Sequence, residues 1–401
     1  MTNFALGVLI ARQVSTTELG AFALAYAGYV FAVGLARGGI LSPLLVRFSD
    51  AEPSAQREAT KSATGVSVVA GASAALISFA VAAVVGKTSA ATLVALGLAL
   101  PGLLLQDAWR FVFFTQARPT LAAANDACWA AAQVVFVGGA FILSSPSTAM
   151  LVGAWGAAGT VAALIGVLQA RLVPRVSRTM VWIKRHRDLG WRFATEYIAT
   201  VASPQVVILL LGAVAGLAAV GAFRGAQILM SPTNLLFAAA PLIAIPEGAR
   251  LVTRSRRRLR RYVRRVSAGV TLLTAGWCVT VLVLPPSVGS SLLGATWDPA
   301  RELLPPLIVL NLAGAIITGA VVGLRATADA RTSVRVRVFQ SALMVILGAI
   351  GALAAGAAGA AWGMALAASV CVAVWWRRFA PDGALKGYDS SAASLDRGTV
   401  P

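Results

Sequence analysis

Again and again the chain runs for twenty residues or more without a charge, as in "SATGVSVVAGASAALISFAVAAVVG" (62–86). A helix needs roughly 20 apolar residues to cross the hydrocarbon of a bilayer, where no water can satisfy an open backbone. Charged residues make up 12% of the sequence and hydrophobic ones 58%, against about 25% charged in an ordinary soluble domain. Twelve candidate spans follow: about 1–14, 20–46, 63–86, 89–114, 119–144, 147–171, 190–212, 217–245, 266–286, 303–324, 336–356 and 358–377. The expected fold is an all-α polytopic membrane protein of about twelve transmembrane helices.

Charge alternates along the connections. Those after even-numbered spans hold 29 of the 34 basic residues, among them "RSRRRLRRYVRR" (254–265), whereas those after odd-numbered spans hold only Arg12, Lys87 and Arg301. Cationic loops resist translocation and face anionic lipid. The even-numbered connections and both termini are therefore expected on the cytoplasmic side. A net charge of +19 would suggest nucleic acid in a soluble protein. Here topology accounts for it, with anionic membrane lipids at the basic loops as partners and no nucleic acid expected.

The first span is short. Its fourteen residues rise about 21 Å as a helix, against a core of roughly 30 Å. The true start is expected upstream of Met1, or else this helix is only partly inserted. Beyond Pro381 the sequence "DGALKGYDSSAASLDRGTVP" is polar and expected to be disordered. Cys128, Cys278 and Cys371 stand singly in apolar runs and His186 is the only histidine. No metal site, cofactor or histidine-based triad is expected.

Gly20-Ala21-Phe22 in "ELGAFALA" returns as Gly221-Ala222-Phe223 in "AVGAFRGAQ", an offset of 201 residues, half the chain. Pro43-Leu44-Leu45 has a counterpart in Pro241-Leu242-Ile243. Six spans per half is an even number, so both halves enter from the same side as parallel repeats related by an axis along the membrane normal. The expected organisation is a lobe at 1–180, a lobe at 181–378 and a cytoplasmic tail at 379–401. Two such lobes leave a cleft that can open to either side.

Two arginines stand inside spans, Arg37 in "GLARGGI" and Arg224. A charge at helix centre costs about 2.5–3.5 kcal/mol on insertion scales, so such residues usually face the bundle interior or a wet cavity. Both are candidate substrate-binding residues, because guanidinium matches phosphate oxygens in bidentate fashion; snorkelling or pairing with a helix-end carbonyl is the plainer alternative. Asp126 and Glu196, the acids most nearly within spans, are candidate counter-ions or ion-coupling sites. Asp107 and Arg110 lie three apart on one helix and are expected to pair locally. Catalytic motifs such as HExxH and GxSxG are absent, and no enzymatic reaction is expected.

"TNFALGVLIARQVSTTELGAFALAYAGYVF", with the later "LVRFSD", resembles the opening helices of bacterial polysaccharide-biosynthesis flippases. That superfamily also holds multidrug exporters of the MATE type and the lipid II flippase. "LLLGAVAGLAAVGAFRGAQILMSPTNLL" is similar to the start of the family's second lobe, and "QDAWRFVFFTQARPTLAAANDACWA" to its fourth and fifth helices. The resemblance implies translocation of a polyprenyl-pyrophosphate-linked oligosaccharide across the bacterial cytoplasmic membrane, with glycosyltransferases or a glycan polymerase as partners. It implies cationic residues of a central cavity at the pyrophosphate, a role that Arg37 and Arg224 would fit although no family motif assigns it to them. An ion-coupled exporter of drugs or small metabolites, with Asp126 as the coupling acid, is the alternative; a scaffold for glycan assembly and a membrane-embedded glycan polymerase are further ones. The topology is checked by cysteine labelling in intact cells: an impermeant maleimide is expected to modify Gly86→Cys and to spare Ser255→Cys until the membrane is opened.

Overall fold

The computed structural model describes residues 2–143, 146–198, 203–252, 255–327 and 329–379. Among these residues every regular element is helical. In chain order they are α1 (Thr2–Gln13), α2 (Thr16–Ala36), a π-helical turn (Arg37–Leu41), α3 (Ser42–Phe48), α4 (Pro53–Ala82), α5 (Lys87–Thr115), α6 (Pro119–Leu143) and α7 (Thr148–Ala170). There follow α8 (Thr179–Tyr197), α9 (Ser203–Val252), α10 (Arg256–Leu282), α11 (Pro286–Leu293), α12 (Trp297–Glu302), α13 (Leu304–Ala326) and α14 (Ala330–Phe379).

Nine stretches of the described chain are long and apolar enough to cross a membrane. They carry eleven of the twelve expected spans in altered form. Two of them run for about fifty residues, and each holds two expected spans across a kink, at Gly216 in α9 and at Ala355–Gly356 in α14. Gly216 sits at φ +81°, where a side chain would be strained and glycine is not. The short α1 makes the twelfth. The span expected at 190–212 falls partly on α8, which ends at Tyr197, and partly on α9, which starts at Ser203. Positions 199–202 and the tail beyond Phe379 lie outside the described residues.

The chain divides into two compact units. The first comprises Met1–Gly225 with Pro286–Ala300. Its central rod is α5, which packs on α2, α4, α6 and α7. Leu103, Leu104, Trp109 and Phe113 on α5 are fully buried, and the Trp109 indole donates to the Ala163 carbonyl on α7 at 2.9 Å. The second unit comprises Ala226–Pro285 and the chain from Arg301 onward. Val263 of α10, Ala320 and Leu324 of α13, and Cys371 and Trp375 of α14 form its core.

Helix starts obey local rules. Ser15 caps α2 through a reciprocal box, accepting from the Glu18 N–H while the Glu18 carboxylate accepts from the Ser15 N–H at 2.9 Å. Such a box satisfies two otherwise orphaned donors. Amphipathic α8 lies outside the candidate spans and packs on the π turn and on α3, α4 and α2. Its Trp182 and His186, one turn apart, are buried against Phe48. Burial, with Arg47 and Arg185 adjacent, holds the His186 pKa below its ordinary value. The ring is thus neutral at pH 7 and can accept a bond from Arg47 at Nδ1, 2.8 Å away.

The two copies of Gly-Ala-Phe meet. A Cβ at Gly20 would strike the Leu217 carbonyl, and a Cβ at Gly221 would strike the Thr16 carbonyl. The offset of 201 that takes Gly20 to Gly221 also takes Thr16 to Leu217, so the contact is its own image, as a two-fold relation between copies requires. Overpacking a closed contact costs about 1–3 kcal/mol. Gly20→Ala and Gly221→Ala are each expected to lower the melting temperature by similar amounts in detergent. Gly28→Ala, on the same helix with open space around it, is expected to leave it unchanged or raise it.

Candidate functional site: a charge chain beside an apolar slot

In "ARGGILSP" two glycines and a proline loosen the helix where it carries its charge. Pro43 has no N–H and cannot bond the Gly39 carbonyl one turn back. The ladder widens to π spacing over Arg37–Leu41, with the Ser42 N–H and hydroxyl both given to the Arg37 carbonyl. Such turns concentrate at functional sites. A Cβ at Gly38 would strike the α8 backbone at Phe193–Ala194, so α8 lies directly against the turn.

Arg37 meets Asp107 on α5 in a bidentate pair, Nε to Oδ2 at 2.8 Å and Nη2 to Oδ1 at 2.6 Å. Asp107 is 4% exposed at its side chain, whereas Arg37 is 39% exposed. Among the described residues the Arg37 Nη1 makes no hydrogen bond, so one edge of the guanidinium remains open to a second oxyanion. Asp107 also accepts from Arg110 at 2.8 Å, as the three-residue spacing predicts. Arg110 in turn donates twice to Asp126 on α6, at 2.7 and 3.2 Å. Gln106 bridges to Asp126 and to Asn125, and Asn125 donates to Gln169 and to the Ala162 carbonyl on α7. Two cations and two anions thus form one chain across α2, α5, α6 and α7, with its buried amides satisfied.

Of the residues singled out in the sequence, Arg37 and Asp126 belong to this chain, with Asp126 in the geometry of a counter-ion. Arg224 lies apart. Its guanidinium sits 4.8 Å from the centre of the Tyr26 ring on α2. Tyr26, Tyr29, Trp155 and Trp129 continue as an aromatic run with ring centres 4.9–6.5 Å apart. Tyr26 and Arg37 are eleven residues apart, about 16 Å along the helix. Glu196 lies within α8, and its side chain is outside the described residues. Sequence reasoning missed that Asp107 serves two arginines, and it missed Tyr26 altogether.

Beside the chain lies a slot of about 910 Å³ within the first unit. Its walls come from α2 and the π turn (Ala21 to Ile40), α4, α5 (Ser89 to Leu104) and α9 (Leu209 to Leu217). Among the described residues no charged side chain lines it, and its hydroxyls are those of Ser73, Ser78 and Ser89. From Ala21 to Ile40 the slot follows nineteen residues of chain, about 28 Å, close to the thickness of bilayer hydrocarbon. On α5 its row Leu96, Leu100, Leu104 leads three residues on to Asp107. The charge chain therefore stands at the end of an apolar channel.

Removing one partner from a buried ion pair costs about 3–5 kcal/mol, because the other is left uncompensated. Asp107→Asn leaves two arginines to share Asp126 and is expected to destabilise the protein by about 3 kcal/mol. Asp126→Asn removes a carboxylate that is 42% exposed and should cost much less. Unfolding of both variants in detergent checks the ranking, and an equal cost would deny Asp107 its central place.

Residues 9–302 match the polysaccharide biosynthesis protein family. In fold, the chain is similar to the lipid II flippase MurJ in an inward closed conformation (TM-score 0.71, 11% identity, covering 100% of this chain and 91% of that one). It is also similar to an inward-facing multidrug resistance MATE transporter of the MOP superfamily (0.67, 13%, 99% and 96%). A MOP superfamily transporter from Pyrococcus furiosus gives 0.55 at 12% identity, covering 94% of this chain and 90% of that one. No curated protein matches the sequence. At these identities the structures establish a fold, that of multi-pass membrane flippases and transporters, and the sequence match establishes the family: the chain belongs to the polysaccharide biosynthesis proteins.

Proposed function

We propose that the protein is a flippase that carries a polyprenyl-pyrophosphate-linked oligosaccharide from the inner to the outer leaflet of a bacterial cytoplasmic membrane. One observation carries this reading: Arg37, whose Nη1 makes no hydrogen bond among the described residues, stands in the π turn between Ala36 and Ile40, both of which wall a long slot that no charged residue among those described lines. A cargo with a phosphorylated head and an apolar tail needs both surfaces at once. The guanidinium edge offers paired donors to phosphate oxygens. The slot offers the tail a wall that costs it no hydrogen bonds. Arg224, over Tyr26, serves as a second station further along α2.

In this reading the halves 1–180 and 181–378 work as two lobes that alternate in access, with both termini cytoplasmic. The family match supports the glycan, and the similarity in fold to a lipid II flippase supports a lipid carrier. Glycosyltransferases or a glycan polymerase supply and receive the cargo. Asp126 acts as a counter-ion to Arg110 rather than as a reactive group.

The test is reconstitution in vesicles with labelled polyprenyl-pyrophosphate glycan, scoring its appearance in the far leaflet. Hydrogen bonds to charged groups contribute about 1.5–3 kcal/mol, so Arg37→Gln or Arg224→Gln is expected to slow transfer about tenfold or more with folding preserved. No transfer by the unaltered protein, together with proton-driven dye efflux, would overturn the reading in favour of an ion-coupled exporter centred on Asp126.

A further inference from the structure

We infer that the groove between α10, α13 and α14 in the second unit is a binding site for an anionic phospholipid of the surrounding bilayer. The groove has a volume of about 520 Å³. Arg264 stands at its rim, and Ala268, Thr271 and Leu272 continue the same face of α10 opposite Ile316 and Trp376. Its walls are fixed. The Trp376 indole donates to the Ile316 carbonyl at 3.1 Å, and the Ser267 hydroxyl donates to the same oxygen at 2.9 Å.

Charge complementarity names the occupant. Arg257, Arg261 and Arg264 fall at i, i+4 and i+7, so they stack on one face about 5–6 Å apart, in line with Ala268 and Leu272. All three are exposed, and among the described residues none of them makes an ion pair or hydrogen bond. The face is thus cationic for its first two turns and apolar afterwards, the polarity of a phospholipid lying along the helix. Phosphate oxygens meet the guanidinium row, and an acyl chain runs over Leu272, itself 72% exposed. Between head and chain sits Thr271, whose hydroxyl oxygen is buried without a hydrogen-bond partner among the described residues. Basic pockets between membrane helices are a known form of anionic headgroup site. The inference is independent of the cargo proposed above, because it concerns other helices and a lipid that stays behind.

The experiment is native mass spectrometry of the full-length protein, stripped of lipid in detergent and then offered cardiolipin, phosphatidylglycerol, phosphatidylcholine or polyprenyl phosphate. Arg261→Gln/Arg264→Gln is expected to weaken binding of the two anionic phospholipids about tenfold or more, with phosphatidylcholine unaffected. Arg258→Gln/Arg265→Gln removes the same charge from positions roughly 75–95° around the helix from the centre of the Arg257, Arg261 and Arg264 row and should weaken binding much less than the first pair does. Ala268→Phe fills the groove, keeps every charge and should lose the lipid as well. Equal losses from the two arginine pairs, undiminished binding to Ala268→Phe, or preference for polyprenyl phosphate over both anionic phospholipids would each overturn the inference.

Discussion

Hydrocarbon does not tolerate an unpaired guanidinium, and much of the first unit is arranged around that fact. Arg37 enters the bundle on α2 and is met by an almost fully buried carboxylate on α5. That carboxylate holds a second arginine, which reaches a second carboxylate on α6. A chain of alternating sign neutralises itself without a net charge in the membrane. It also ties α2, α5 and α6 together, where lipid-facing apolar contacts alone discriminate weakly between neighbours. The π turn serves the same end, since it begins at the arginine and opens the helix so that α8 can lie against it.

Seen this way, the charge chain and the slot are two halves of one solution. The apolar row on α5 supplies Leu96, Leu100 and Leu104 to the slot, and Asp107, three residues on, to the charges. One helix thus presents both kinds of surface in sequence. A cargo that is itself anionic at one end and apolar along the rest finds both surfaces in the same order. The partial exposure of Arg37, despite its bidentate partner, is what leaves room for such a head group.

Most of the architecture was legible in the sequence because lipid imposes length and polarity on each span. Runs such as 119–144 and 303–324 became helices within a few residues of their expected ends. The kinks within α9 and α14 follow from the backbone conformations of Gly216 and of Ala355–Gly356, which periodicity does not register. Helix α8 was hidden as well. Its basic residues read as a connection, although Trp182 and His186 stand at helical spacing and mark the face that docks on Phe48. Within the site, Arg37 and Asp126 stood out as charges in apolar runs. The pairing of Arg37 with Asp107 was not legible, since the two are 70 residues apart and Asp107 already had an explanation three residues away.

The reciprocal crossing of Gly20 and Gly221 has a consequence for how such a protein can be assembled. A seam in which each backbone presses on the image of its own partner is the seam that two separate, identical polypeptides make when they pair. Its fit resides in the two backbones at the crossing rather than in the peptide that joins them.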